Sequence, residues 1–153
     1  EEGQGIRYML KALDGGRLSI AAMGLGLAQG AFEMALKHAK TRKQFGRSIG
    51  RNQVIGFKLA DMSMKLELAR NTLYRTCMLK DNGHPYAREA AMAKLYTSEI
   101  AREIADEAVQ IFGGSGLFKD NPIERFYRDQ RLLQIGEGTS EILRLVIARG
   151  LGV

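Results

Sequence analysis

Apolar residues recur every three or four positions over most of the chain, which is the spacing of one face of an α-helix. A first helix is predicted over residues 18–39, and its apolar stripe consists of Leu18, Ala21, Leu25, Ala28, Phe32, Ala35 and Ala39. Further helices are predicted over residues 53–80 and 86–112. The second helix should be buried on two sides, because it carries an additional stripe formed by Phe57, Met64 and Leu68.

Turn residues separate these stripes and add two helices. The segment 81–85 contains Asn, Gly and Pro and should end the second helix, and the glycines of 113–116 should end the third. The sequence Asn-Pro-Ile-Glu at 121–124 is typical of a helix start, so we expect a short helix from there to about residue 133. A last helix is predicted over residues 140–149, capped by Thr139 or Ser140.

No convincing run of alternating polar and apolar residues occurs, so the predicted fold class is all-α. We expect one domain over residues 1–153, a four-helix up-and-down bundle with a short additional helix. Apolar residues make up 45% of the 153 positions and charged residues 26%, which excludes a disordered chain.

One cysteine and two histidines exclude a disulfide framework and make a metal site unexpected. The uninterrupted apolar runs are too short for a membrane span, and no signal peptide is visible. Because the first residue is Glu1 rather than Met, we expect the chain to be part of a longer protein.

The net charge of +6 is concentrated in one segment, residues 37–51, which contains six cationic residues and no acidic one. These residues are Lys37, Lys40, Arg42, Lys43, Arg47 and Arg51. Such a segment favours an anionic partner such as a phosphate group, with a nucleic-acid surface or a solvated loop as alternatives.

Two further segments could take part in binding or chemistry. The glycine-rich stretch 110–116 is either a helix end or a place where a ligand approaches the backbone closely. In 134–140, Glu137 lies between two glycines at the start of a helix. It is either a solvated or capping carboxylate or, if partly buried, a general base.

Six stretches, in one order and spacing, resemble the C-terminal domain of the acyl-CoA dehydrogenases. They are LDGGRLSIAA, TRKQFG, NQVIGFKLADM, EAAMAKLYTSE, AVQIFGGSGL and QIGEGTSEILRLVIARG. The likeness extends over nearly the whole chain and is strongest to the short-chain and branched-chain members. It implies a four-helix bundle that forms the last of three domains.

The resemblance also implies a reaction, the α,β-dehydrogenation of an acyl-CoA thioester by FAD. It identifies Glu137 as the catalytic base. It places the segment formed by Asp14, Gly15, Gly16 and Arg17 at the CoA chain and Gly138 against the thioester. Many relatives carry a tyrosine where this chain has Gly136, and some have a glutamine where it has Glu141.

The residues that the resemblance places at FAD form two groups. Those expected beside the FAD of the same subunit are Thr139, Ser140 and Glu141. Those expected at FAD through other contacts, mostly with the cofactor of a neighbouring subunit, are Arg42, Lys43, Gln44, Phe45, Asn52, Gln53, Gln110, Ile111, Phe112, Gly113 and Gly114. The basic segment thereby gains an anionic dinucleotide as its expected partner, rather than nucleic acid.

The partners implied by the resemblance are an acyl-CoA substrate, further copies of the chain in a dimer of dimers, and an electron-transferring flavoprotein. The expected location is the cytoplasm in a bacterium or the mitochondrial matrix in a eukaryote. An acyl-CoA oxidase and a non-enzymatic helical binding domain are the alternatives. We expect the isolated 153 residues to be inactive, because sites in this family are assembled from several domains and subunits.

Overall fold

The computed structural model describes residues 2–153, and the long elements in this range are all helical, which confirms the predicted fold class. The five α-helices are α1 (Gly5–Thr41), α2 (Gln53–Asp81), α3 (Ala87–Phe112), α4 (Ile123–Asp129) and α5 (Ser140–Gly150). Three 3₁₀ helices cover Ile49–Arg51, Gly113–Leu117 and Gln130–Gln134. The long helices α1, α2 and α3 form the centre of the bundle, and the two short ones pack on α3.

Helix α1 begins at Gly5, well before the predicted start at residue 18. Its first turns bury no apolar stripe, and Ile6, Met9 and Leu10 are all exposed, so the periodicity of the sequence gives no signal there. Gly15 and Gly16 lie inside the helix. With 37 residues, α1 is about 55 Å long.

Small residues bring α1 and α3 close together along parallel axes. A β-carbon built on Gly24 would lie 3.2 Å from the backbone carbonyl carbon of Thr97. Further along both helices, the rings of His38 and Phe112 stack with their centroids 4.2 Å apart. The buried positions of the two helices are dominated by alanine, namely Ala21, Ala28, Ala31, Ala35, Ala39, Ala90, Ala91, Ala93, Ala101, Ala105 and Ala108.

Helix α2 buries only one of its two apolar stripes. The inner stripe packs on α1 and α3 and consists of Leu59, Met62, Leu66, Ala69 and Leu73. The second stripe, Phe57, Met64 and Leu68, is more than half exposed. The prediction of burial on two sides is therefore wrong for the single chain.

Two strands of two residues each, β1 (Lys43–Gln44) and β2 (Arg47–Ser48), form an antiparallel hairpin between α1 and α2. The turn residues Phe45 and Gly46 both have positive φ, 51° and 80°, as the tightest hairpin turns require. Strands this short contain no detectable alternation, and the sequence analysis therefore missed them.

The predicted starts of the last two helices are confirmed by their capping contacts. The backbone N–H of Ile123 donates to Asn121 Oδ1 over 3.2 Å, at the start of α4. The backbone N–H of Ile142 donates to Thr139 Oγ1 over 3.4 Å, at the start of α5. Thr139, rather than Ser140, is the capping residue.

Within residues 2–153, α1 is also the one helix with the length and composition of a membrane span, since an 18-residue window reaches a mean hydropathy of 1.2. The expectation from uninterrupted apolar runs missed this window because glycine and alanine separate its larger apolar residues. The central helix of a bundle has the same composition, and α1 packs along α3 over most of its length.

Candidate active site and cofactor surfaces

Glu137 lies in a sharp turn between the 3₁₀ helix Gln130–Gln134 and α5. Its φ of 54° is in the left-handed region, which only Phe45 shares among the described non-glycine residues, and Gly138 follows with φ 103°. The Glu137 carboxylate lies directly over Gly16 of α1, where a β-carbon would come within 2.8 Å of Cδ. The structure thus brings the predicted base and the predicted substrate segment together.

Four charged side chains surround this contact, two acidic and two basic. On α1, Arg17 Nη1 donates to Asp14 Oδ1 over 2.7 Å, and the Arg17 side chain is almost fully buried. On α3, Lys94 is completely buried, and its Nζ donates to the Gly138 carbonyl over 2.6 Å. With Glu137, these side chains form a cluster of two acidic and two basic groups that has no net charge.

Burial governs the ionisation of this cluster. It is the main cause that lowers the pKa of the Lys94 ammonium; the Arg17 charge lowers it further, and the Glu137 carboxylate opposes both. Burial also raises the pKa of the Asp14 carboxyl, against the influence of Arg17. Glu137 is therefore close enough to Lys94 for their charges to interact.

The first turn of α5 follows the Glu137 turn directly. Ser140 is buried, whereas Glu141 is exposed. The backbone amide of Glu141 and the Thr139 hydroxyl donate hydrogen bonds to the Glu141 carboxyl and thereby lower its pKa. The three residues of this turn that are predicted to contact FAD therefore lie on the Glu137 side of the bundle.

The basic hairpin lies at the other end of α1. Lys43, Gln44 and Phe45 are exposed, and Phe45 presents 98% of its surface to solvent. The Arg42 carbonyl accepts from Ile49 N over 2.9 Å, which closes the hairpin onto the 3₁₀ turn before α2. Asn52 and Gln53 begin α2 beside it, and Asn52 Oδ1 accepts from the Arg47 guanidinium over 2.9 Å.

The end of α3, residues 110–114, lies next to the hairpin. Phe112 stacks on His38, and burial, followed by the nearby charge of Arg42, lowers the pKa of His38. Gly113 has φ 61°, and no atom lies within 4 Å of a β-carbon built on it or on Gly114. Gln110 is exposed and Ile111 buried, so a ligand could contact the former and the backbone of the glycines.

The predicted site residues therefore form two clusters at opposite ends of α1. Gly16, in the Glu137 cluster, and Arg42, in the hairpin cluster, are 26 positions apart in one helix and its cap, which corresponds to about 39 Å. A single chain cannot direct both clusters at one binding site of ordinary size.

The sequence analysis missed Lys94. The signal was available, because Lys94 falls on the apolar face of α3, one turn from Ala90 and Thr97, where a charge is unusual. Among residues 2–153, no group of three or more His, Cys, Asp or Glu side chains is placed to hold a metal ion.

A family model described as the acyl-CoA dehydrogenase C-terminal domain matches residues 3–152. The chain belongs to the acyl-CoA dehydrogenase family. It is 51% identical to the human mitochondrial short-chain specific acyl-CoA dehydrogenase over 148 residues, 97% of this chain and 36% of the human protein. It is 47% identical to the caffeyl-CoA reductase-Etf complex subunit CarC of Acetobacterium woodii, over 97% of this chain and 39% of that protein.

The solved structure of butyryl-CoA dehydrogenase from Megasphaera elsdenii superposes on the whole chain with a TM-score of 0.98 at 42% identity. The chain covers 40% of that structure, so it spans well under half the length of the acyl-CoA dehydrogenases it matches. Members of this family are FAD flavoproteins and oxidoreductases, and the resemblance found in the sequence is confirmed.

Proposed function

We propose that this domain is the C-terminal part of a three-domain, FAD-dependent acyl-CoA dehydrogenase and that Glu137 is its catalytic base. The observation that carries the proposal is the position of the Glu137 carboxylate. It lies in a left-handed turn with a glycine on each side, directly over Gly16, whose lack of a side chain leaves room for the carboxylate.

The chemistry requires a base that is strong enough for a weakly acidic α-proton of a thioester and yet ionised in the resting enzyme. Glu137 removes this proton, and the electron pair of the broken C–H bond forms the new α,β double bond. FAD, when bound, accepts the hydride that leaves the β-carbon. Lys94 and Arg17 supply the two positive charges of the cluster that contains Glu137.

The residues fit FAD as two separate surfaces. Arg42 and Lys43 of the exposed hairpin can bind a pyrophosphate, and the open backbone at Gly113 and Gly114 allows close approach of a flat ring. Thr139, Ser140 and Glu141 adjoin the Glu137 turn instead. Because α1 separates the two surfaces by about 39 Å, we propose that each FAD is held by the α5 turn of one subunit and the hairpin of another.

The exposed stripe of α2 supports assembly into the expected dimer of dimers. Phe57, Met64 and Leu68 lie on one face, more than half exposed, and a second copy of the chain would cover them. An electron-transferring flavoprotein is the proposed electron acceptor, since the relative CarC is named as a subunit of a complex with such a protein.

The proposal is tested on the full-length protein by anaerobic mixing with butyryl-CoA while the visible absorption of the oxidised flavin is followed. The parent should bleach, and Glu137→Gln, which keeps the shape but cannot take a proton, should bleach at least about a thousandfold more slowly. Glu33→Gln on the exposed face of α1 is the matched control and should bleach like the parent.

Equal bleaching of the parent and Glu137→Gln would place the base elsewhere, and a full-length protein without flavin would refute the dehydrogenase proposal altogether. Rapid reoxidation of the reduced parent by oxygen would indicate an acyl-CoA oxidase instead.

A further inference from the structure

Lys94 is a fully buried cation whose position has no structural necessity in the bundle. The residues around it on the buried face of α3 are small, namely Ala90, Ala91, Ala93, Thr97 and Ser98. A buried ammonium is costly unless its charge and its N–H groups are matched. Its presence therefore requires a compensating role at the contact that it makes.

That contact is the turn that carries Glu137. Lys94 Nζ donates to the Gly138 carbonyl over 2.6 Å, across 44 positions of sequence. Glu137 and Gly138 both have positive φ, a conformation that a glutamate adopts only where its surroundings enforce it. The hydrogen bond from Lys94 fixes the peptide group between Gly138 and Thr139, the second one after Glu137, and thereby opposes relaxation of the turn.

From these contacts we propose that Lys94 is a positioning residue for Glu137: its ammonium holds the Gly138 carbonyl, fixes the left-handed turn and supplies the positive charge that the base faces. The inference rests on the proposed function, because it concerns how the proposed base is held. Lys94 itself touches neither substrate nor cofactor in this role.

The charged groups around Glu137 come from every element packed at the turn. Helix α1 contributes Asp14 and Arg17, which are paired with each other, and α3 contributes Lys94. On α5, Arg144 pairs with Glu99 of α3 over 2.6 Å at the surface of the bundle. Of the two buried cations, Arg17 is paired with Asp14, whereas Lys94 hydrogen-bonds the turn itself.

Removal of the Lys94 ammonium leaves the Gly138 carbonyl without its donor, so the turn that carries Glu137 can relax. A reacting group that is misplaced by about 1 Å loses about a hundredfold in rate, whereas binding of the substrate by contacts elsewhere is unchanged. The rate of the chemical step should therefore fall, while the concentration of butyryl-CoA at half-maximal rate stays the same.

The experiment compares the parent full-length protein, Lys94→Met, Lys94→Arg and the control Lys80→Met, an exposed lysine near the end of α2. Flavin bleaching by butyryl-CoA is measured in single turnover as a function of butyryl-CoA concentration, together with flavin content. Lys94→Met should bleach at least about tenfold more slowly at saturating butyryl-CoA, with an unchanged concentration at half-maximal rate. Lys94→Arg, which keeps a charged donor, should recover part of this rate, and Lys80→Met should match the parent.

The inference is overturned if Lys94→Met bleaches like the parent, if its rate is recovered at higher butyryl-CoA concentration, or if Lys94→Arg recovers none of it, since the last two results indicate weaker binding or loss of structure. Should Lys94→Met lose its flavin, Lys94→Gln, which keeps a polar donor without the charge, is judged by the same rate at saturating butyryl-CoA. Glu137→Gln in the same series separates the two proposals. If it bleaches like the parent, the assignment of the base fails, whereas if it is inactive while Lys94→Met bleaches like the parent, only the inference about Lys94 fails.

Discussion

At the scale of single residues, Gly16 matters because of the side chain that it lacks. A methyl group there would lie 2.8 Å from Glu137 Cδ, closer than two carbon atoms approach, so Gly16→Ala must displace the carboxylate. We expect Gly16→Ala in the full-length protein to slow flavin bleaching by butyryl-CoA about a hundredfold, the effect typical of a misplaced reacting group. Gly26→Ala in the same helix, where a methyl group meets open space, should bleach at the parent rate. Parent-like kinetics for Gly16→Ala would show that the carboxylate is free to move without loss.

The residue scale also shows what the sequence could predict of the site. Glu137 stood out because a carboxylate between two glycines is unusual, and the family resemblance supplied its role. Lys94 was missed because a single charged residue within an apolar stripe does not form a motif. The contact between Lys94 and Gly138 spans 44 positions, and such a contact follows only from the packing of α3 against the α5 turn.

At the scale of elements, the packing of α1 on α3 depends on Gly24. A β-carbon there would lie 3.2 Å from the backbone of Thr97, which cannot rotate away as a side chain could. We expect Gly24→Val to destabilise the 153-residue domain by about 1–3 kcal/mol, as overpacking does. Gly26→Val, in open space on the same helix, should change the stability by less than about 0.5 kcal/mol. Thermal unfolding followed by the helical circular dichroism signal measures both, and equal unfolding temperatures would contradict the proposed role of Gly24.

The periodicity predicted α2 and α3 to within one residue at each end, because both helices bury a continuous stripe and end at strong turn signals. It missed residues 5–17 of α1, where the apolar residues Ile6, Met9 and Leu10 are exposed. Apolar periodicity marks helices that bury one face. A helical segment that is exposed in the domain therefore cannot be predicted from it.

At the scale of the whole molecule, the separation of the two clusters predicts complementation between inactive variants. Mixed oligomers of Glu137→Gln and Arg42→Ala should contain sites built from an intact Glu137 of one chain and an intact Arg42 of the other. We expect the co-expressed pair to recover a quarter to a half of the parent bleaching with butyryl-CoA, although Arg42→Ala alone should retain little flavin. Oligomers of Glu137→Gln and Lys94→Met, which are altered in the same cluster, should bleach no faster than Lys94→Met alone. Failure of the first pair to recover activity would place both clusters at a site within one chain.

The exposed stripe of α2 shows a property that the sequence of one chain could not predict, namely where an apolar helix face is buried. The pattern correctly reports that Phe57, Met64 and Leu68 belong to a face that is apolar, but it cannot distinguish a core within the chain from a surface between chains. Burial on two sides was therefore predicted for the single chain, in which only one side of α2 is buried.

Phe45 illustrates a conflict between the stability of the isolated domain and its proposed function. The first position of a two-residue hairpin turn favours asparagine, aspartate or glycine, yet here a phenylalanine adopts φ 51° and leaves 98% of its surface in water. A protein engineer who optimised this domain for thermal tolerance would replace Phe45 by asparagine first and would gain a better turn. The same change would remove the exposed ring that we propose lies beside the FAD of a neighbouring subunit. Stability screening of the isolated domain would therefore select against a side chain that this proposed contact requires.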